Sequence, residues 1–216
     1  MKSQSTGFSL LELLVGMAII SIGLSAAIPH YQRSIRQGEV DRYTQQLEAG
    51  FFGLRAKLGQ QKTSCKLKFE FHGLDNFVAP SSLVEMRNHP ERMECCNSDI
   101  EAAGRTNGCA YGLEIGELLA KDSSEEERDK ILRDRSLRLL DREGTKESKA
   151  VEVSVNLASY ELSPPGTSTM SRDLVFLIRS TNTQEKRLRI RCLKVSGTGN
   201  VHRASWNAPN SSCLHK

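Results

Sequence analysis

The chain has 216 residues, 38% of them hydrophobic and 26% charged, with a formal net charge of +4 at pH 7. This is ordinary for a soluble domain once one long apolar run is set aside, and the roughly 150 residues beyond the N-terminal helix allow one modest core but exclude two large ones. No Ser/His/Asp or Cys/His set, no paired carboxylates and no phosphate loop stands out, so neither catalysis nor a cofactor is expected.

From Phe8 to Ile28 the chain runs 21 residues with Glu12 as its sole charge. As a helix rising about 1.5 Å per residue, the run is long enough to cross a hydrocarbon core. A carboxylate there costs on the order of 2.5–3.5 kcal/mol at the helix centre and less near an end. An ordinary secretory signal peptide would have a more basic start and an uncharged apolar region, although Ser25-Ala26-Ala27 offers small residues for a signal peptidase. A plain membrane anchor explains the length but neither Glu12 nor the abrupt Gly7-Phe8 junction.

The string Gly7-Phe8-Ser9-Leu10-Leu11-Glu12 resembles the cleavage and methylation motif of type IV pilins and type II secretion pseudopilins, and Pro29 stands where that family commonly has a proline. The resemblance implies a leader of residues 1–7 removed by a prepilin peptidase, with the cut between Gly7 and Phe8. It also implies N-methylation of Phe8 by the same peptidase/methylase, storage of the subunit in membrane lipid, and assembly with other pilin or pseudopilin subunits on an inner-membrane platform. Glu12 is implied to pair with the N-terminal amine of an adjacent subunit, since a buried carboxylate needs such a partner. Its alternative is satisfaction by its own helix N-terminus. Pro29 removes a backbone donor and is expected to kink or loosen the helix near Ser25 to Ile28. Gly16 and Gly23 permit close helix approach in an apolar setting. The resemblance places the head outside the cytoplasm.

Beyond Pro29, Val40, Tyr43, Leu47, Phe51, Leu54 and Leu58 recur at three- and four-residue steps, predicting one helix over 8–62, its 8–28 half for membrane and assembly. Gly59 and the polar stretch after it are expected to end the helix. The head is then 63–216. Lys66 to Phe71 alternates like a strand, and 73–116 reads as a loop pinned by cysteines. Ser124 to Glu143 reads as a charged surface helix, so 73–150 forms a loop and helix insertion. Val151–Leu157, Leu174–Ile178, Arg187–Val195 and Val201–Trp206 read as consecutive strands within 151–206, with a turn at Gly197-Thr198-Gly199-Asn200. The expected class is α+β: a long N-terminal helix packed on an antiparallel sheet, stapled by disulfides. Strands, glycine turn and C-terminal position loosely resemble FimT/GspH-type minor pilins and pseudopilins.

The six cysteines, Cys65, Cys95, Cys96, Cys109, Cys192 and Cys213, are an even number, which favours disulfides in an exported domain. Cys192 and Cys213 enclose a C-terminal loop over 192–213 that resembles the disulfide-bounded region of many pilins. Cys95 and Cys96 are adjacent and expected to take different partners, with Cys109 and Cys65 as candidates. The pattern has no metal-ligand spacing, and no metal is expected.

From Lys186 to Lys216 there are seven Lys or Arg residues and no acid. If Arg187, Arg189 and Arg191 alternate on a strand, they form a ladder on its solvent face, with Arg203 on the next strand and Lys194 on the other face. Such a ladder fits DNA phosphates, and Trp206 and His202 lie nearby in sequence. The alternatives are a subunit contact or a face paired with the many acids of the first 150 residues.

Overall fold

The computed structural model describes residues 9–86, 92–96, 109–111, 124, 139–140, 143–164, 167–168, 170–182 and 188–214. A single helix, α1 (Leu10–Gln61), runs 52 residues, about 78 Å. Ser9 starts it as N-cap. It passes through Pro29 without interruption, and it passes Gly59 as well. The stop comes from Lys62, which takes a left-handed backbone (φ 51°, ψ 37°) and donates its N–H to the Leu58 carbonyl.

The six apolar residues of the second half of α1 form the seam that the head is built on: Val40, Tyr43, Leu47, Phe51, Leu54 and Leu58 are all at most 1% exposed. They meet the inner face of a six-stranded antiparallel sheet. Its order is β10 (Ser212–Leu214), β9 (Val201–Asn207), β8 (Arg191–Val195), β7 (Leu174–Ser180), β5 (Val151–Val155) and β2 (Gly73–Val78). Period-two alternation sends Val151, Val153 and Val155, Leu174, Phe176 and Ile178, and Leu193 and Val195 into one core with the helix. Phe176 sits at its centre, with ring centroids 5.7 Å from Phe51 and 5.6 Å from Phe69. Burying side chains of this size contributes about 1.5–3 kcal/mol each, which is why the helix–sheet seam dominates the head.

A second sheet has the order β4 (Cys109–Tyr111), β3 (Met93–Cys96), β1 (Ser64–Lys68) and β6 (Ser159–Leu162). Two short helices, α2 (Pro80–Leu83) and α3 (Lys146–Ala150), lie between the strands in sequence. Three expectations are thereby corrected. The stretch 73–116 is not simply a pinned loop, because β2, β3 and β4 come from it. The main sheet extends beyond 151–206, gaining β2 and β10. The strand beginning at Lys66 instead starts at Ser64 and ends at Lys68. Polar turn composition concealed these short strands, whose pairing is long-range.

Most of the expected helix over Ser124 to Glu143 lies outside the described residues. Its Leu139 and Leu140 are buried, at 0% and 2% exposure. They reach α1 at Gly50, where an added Cβ would come within 1.7 Å of the Leu139 carbonyl oxygen. Glycine is required there by a close backbone approach.

A disulfide joins Cys65 to Cys95, directly opposite each other on β1 and β3. Another joins Cys192 to Cys213. Strand β9 separates β8 from β10, yet these two Cα atoms are only 5.8 Å apart, so the C-terminal hairpin curls over the outer face of the sheet. Cys96 and Cys109 are register partners of β3 and β4.

Candidate assembly site

The N-terminal half of α1 stands clear of the head. Leu10, Leu11, Leu13, Leu14, Val15, Met17, Ile19, Ile20, Ile22, Leu24 and Ile28 are each at least half exposed. Among the described residues, α1 is the one helix long and apolar enough to cross a membrane, with a mean hydropathy of 2.2 over its most apolar window. Gly7 and Phe8 lie outside the described residues. Glu12 sits at the third helical position, where its Oε2 accepts the Ser9 N–H at 3.3 Å and its own N–H donates to Ser9 Oγ at 3.2 Å. This reciprocal capping box uses two otherwise orphaned backbone donors. Further along, Ser21 Oγ donates to the Met17 carbonyl and Ser25 Oγ to the Ile22 carbonyl, keeping both hydroxyls satisfied in an apolar setting. Pro29 cannot donate to the Ser25 carbonyl, so one rung of the ladder is missing just beyond these serines.

The basic face is not a solvent ladder: for Arg191 and Arg203 the alternative of pairing with acids of the first 150 residues is the one the structure shows. Strand β8 begins only at Arg191; Arg189 precedes it, and Arg187 lies outside the described residues. Arg191 shares its face with Leu193 and Val195, the face turned toward α1. Its Nε donates to Asp41 Oδ1 at 2.5 Å and its Nη2 to Asp41 Oδ2 at 3.0 Å, a two-pronged grip, while Nη1 donates to Ser205 Oγ at 2.8 Å. Arg203, opposite Leu193 on β9, meets Glu48 Oε2 at 2.5 Å. Arg189 is held through its backbone: its N–H donates to Gln37 Oε1 at 2.8 Å, and its carbonyl accepts from Gln37 Nε2 at 3.4 Å. Gln37 Nε2 also donates to Asp41.

The helix therefore answers the arginines with Gln37, Asp41 and Glu48 along one flank, none of which had been singled out from the sequence. Their four- and seven-residue spacing beside the apolar stripe was the available signal. Partial burial pushes the Asp41 carboxyl up, but bonds from Arg191 and Gln37 and the charges of Arg191 and Arg189 outweigh it and hold the group below its ordinary range. The bond to Asp41 raises Arg191 in turn, against the effect of burial. A cleft of about 280 Å³ remains between helix and sheet, lined by Asp41, Thr44, Gln45, Arg191, Arg203, Ala204 and Ser205. Lys194 is on the other face and pairs with Asp173 at 2.7 Å. Trp206 also belongs to that other face, packed near Cys192 and Cys213, so it offers no stacking platform beside Arg191 and Arg203. Among the described residues no cluster of three or more His, Cys, Asp or Glu could hold a metal ion.

Residues 2–28 match the family model described as the prokaryotic N-terminal methylation motif. With the exposed apolar helix, the match points to a precursor with a prepilin-type N-terminus and to a structural role for it. The match supports the prepilin-type family of type IV pilins and type II secretion pseudopilins. No curated protein matches the chain, and no solved structure does.

Proposed function

We propose that this chain is a minor subunit of a type IV pilus. A prepilin peptidase cuts between Gly7 and Phe8 and N-methylates Phe8. The mature subunit waits as a single-pass inner-membrane protein with its head outside the cytoplasm. It then enters the filament through α1 on the assembly platform, with Glu12 meeting the Phe8 amine of a neighbour. The carrying observation is an apolar helix, matched by the methylation motif, that leaves the head with nearly all its large side chains uncovered. In lipid these residues are satisfied; on leaving lipid they need the helices of other subunits.

Glu12 fits both states. Its Oε2 is engaged by its own helix terminus, and the second oxygen leaves room for an ammonium from outside. Mass spectrometry of the mature protein tests the reading: a methylated Phe8 is expected, and a start near Ile28 would replace it with an ordinary signal peptide. A type II secretion pseudopilin would use the same helix and motif, and the genes flanking this one discriminate between pilus and secretion operons. DNA capture through Arg189, Arg191 and Arg203 is not part of this reading, because Arg191 and Arg203 already hold Asp41 and Glu48.

A further inference from the structure

The apolar surface of α1 does not end where the uniformly apolar run ends. Leu24, Ile28, Tyr31 and Ile35 follow one another at four-, three- and four-residue steps, so they form one stripe. All four are open, at 51%, 50%, 69% and 44% exposure. Residues 10–35 would span about 39 Å, more than the roughly 30 Å of a hydrocarbon core. Past Pro29 this surface is one-sided: Arg33 and Arg36 lie on the other side of the helix. The head is on the other side too. Val40, which begins the buried seam, comes nine residues after Tyr31, about two and a half turns, and so points away from the stripe.

We propose that this stripe is a lipid-facing keel: in the stored subunit α1 leaves the bilayer tilted, with Tyr31 and Ile35 turned down into the membrane surface and the head lifted on the opposite side. The inference rests on the membrane-anchored reading above and adds an orientation to it. Three features select lipid as the occupant. The stripe is continuous with the segment long and apolar enough to span the bilayer. Its residues suit a face that leaves a bilayer and runs along its surface: aliphatic at Leu24 and Ile28, Tyr31 with an apolar ring and a polar tip, aliphatic again at Ile35, and finally a cation. That cation is Arg42, about three turns beyond Tyr31 on the same side, with 69% of its side chain exposed and a 3.7 Å contact to Glu147. A one-sided apolar surface longer than the core is wide is accommodated by tilting toward that side, with flanking residues as anchors.

The test uses the full chain reconstituted into vesicles of phosphatidylglycerol and phosphatidylethanolamine, with bromine-labelled acyl chains as quenchers. Single tryptophans are placed at Leu14, Tyr31, Arg33 and Ile35 in a Trp206→Phe background. Tryptophans at 31 and 35 are expected to be quenched several-fold more than the one at 33. Equal quenching at all three, or none at 31 and 35 while 14 is quenched, overturns the keel and leaves membrane anchoring intact. Absence of quenching at 14 instead overturns the membrane-anchored reading itself. A photo-crosslinking amino acid at Tyr31, with Trp206 retained, gives an independent readout. Lipid adducts in the membrane fraction support the keel, and capture of a second copy in place of lipid shows the stripe to be a helix–helix contact and overturns it.

Discussion

The two halves of α1 are continuous in backbone and opposite in circumstance. From Leu10 to Ile35 large apolar side chains are uncovered, while from Val40 to Leu58 those on one stripe are sealed beneath a sheet. Apart from Glu12, the first half is apolar all round as far as Ile28 and needs a medium; the second is amphipathic and carries its own partner. The lesson is that one helix can be stable as part of a head and unfinished as a surface. Stability and assembly should therefore respond to different substitutions.

The largest separation is expected from Phe51→Ala, which empties the space against Phe176 and should destabilise the head by about 3–5 kcal/mol. Leu14→Ala should leave the melting of the head unchanged. Both are read by thermal melting of the full chain in detergent, and equal effects would erase the distinction. Next is the C-terminal staple. Replacing Cys192 and Cys213 by serine removes a bridge across 21 residues and should cost about 3 kcal/mol. Gly50→Ala should cost about 1–3 kcal/mol, because its methyl meets the backbone at Leu139 and not a side chain that can turn away.

A smaller effect is expected from Asp41→Asn, about 1 kcal/mol once solvent screening of a partly exposed pair is allowed for. Its sign with pH is fixed by the lowered carboxyl. The stabilisation is fully present above the ordinary carboxylate range near about pH 4 and is lost as the pH falls through the lowered folded value. Asp41→Asn should therefore flatten the acid side of the stability profile, and an unchanged profile would show that the pair contributes nothing. Glu12→Gln completes the comparison from the other side. It should leave head melting untouched while lowering the fraction of subunit recovered in sheared filaments.

Much of this was legible in the chain. The helix is marked by its period, the buried seam by six apolar residues, and the prepilin-type N-terminus by a compact motif. Strands β5, β7 and β9 follow from alternation and length. What escaped reading depends on contacts between distant segments. β2 breaks its apolar residues with Asp75 and Asn76, β3 and β4 are only four and three residues long, and the three become strands because β5, β1 and β3 offer them edges. For the arginines a free ladder and a face paired with acids both stay open from the chain, since nothing local says that Asp41, 150 residues earlier, stands opposite Arg191. Charge pattern gives the cations; topology decides whether they are available.

The irregular pairing of β2 has a consequence for the company the head keeps. Gly73 pairs with Val155 but Val78 with Val153, so Leu74 to Phe77 arch out of register over the sheet, and the Leu74 carbonyl accepts from the buried Ser154 hydroxyl. This strand is one margin of the six-stranded sheet, and the other, β10, is three residues long and tethered through Cys213. Neither margin offers a straight row of free amides onto which a neighbouring head could zip. The margins of this sheet are thus poorly suited to sideways pairing between crowded heads.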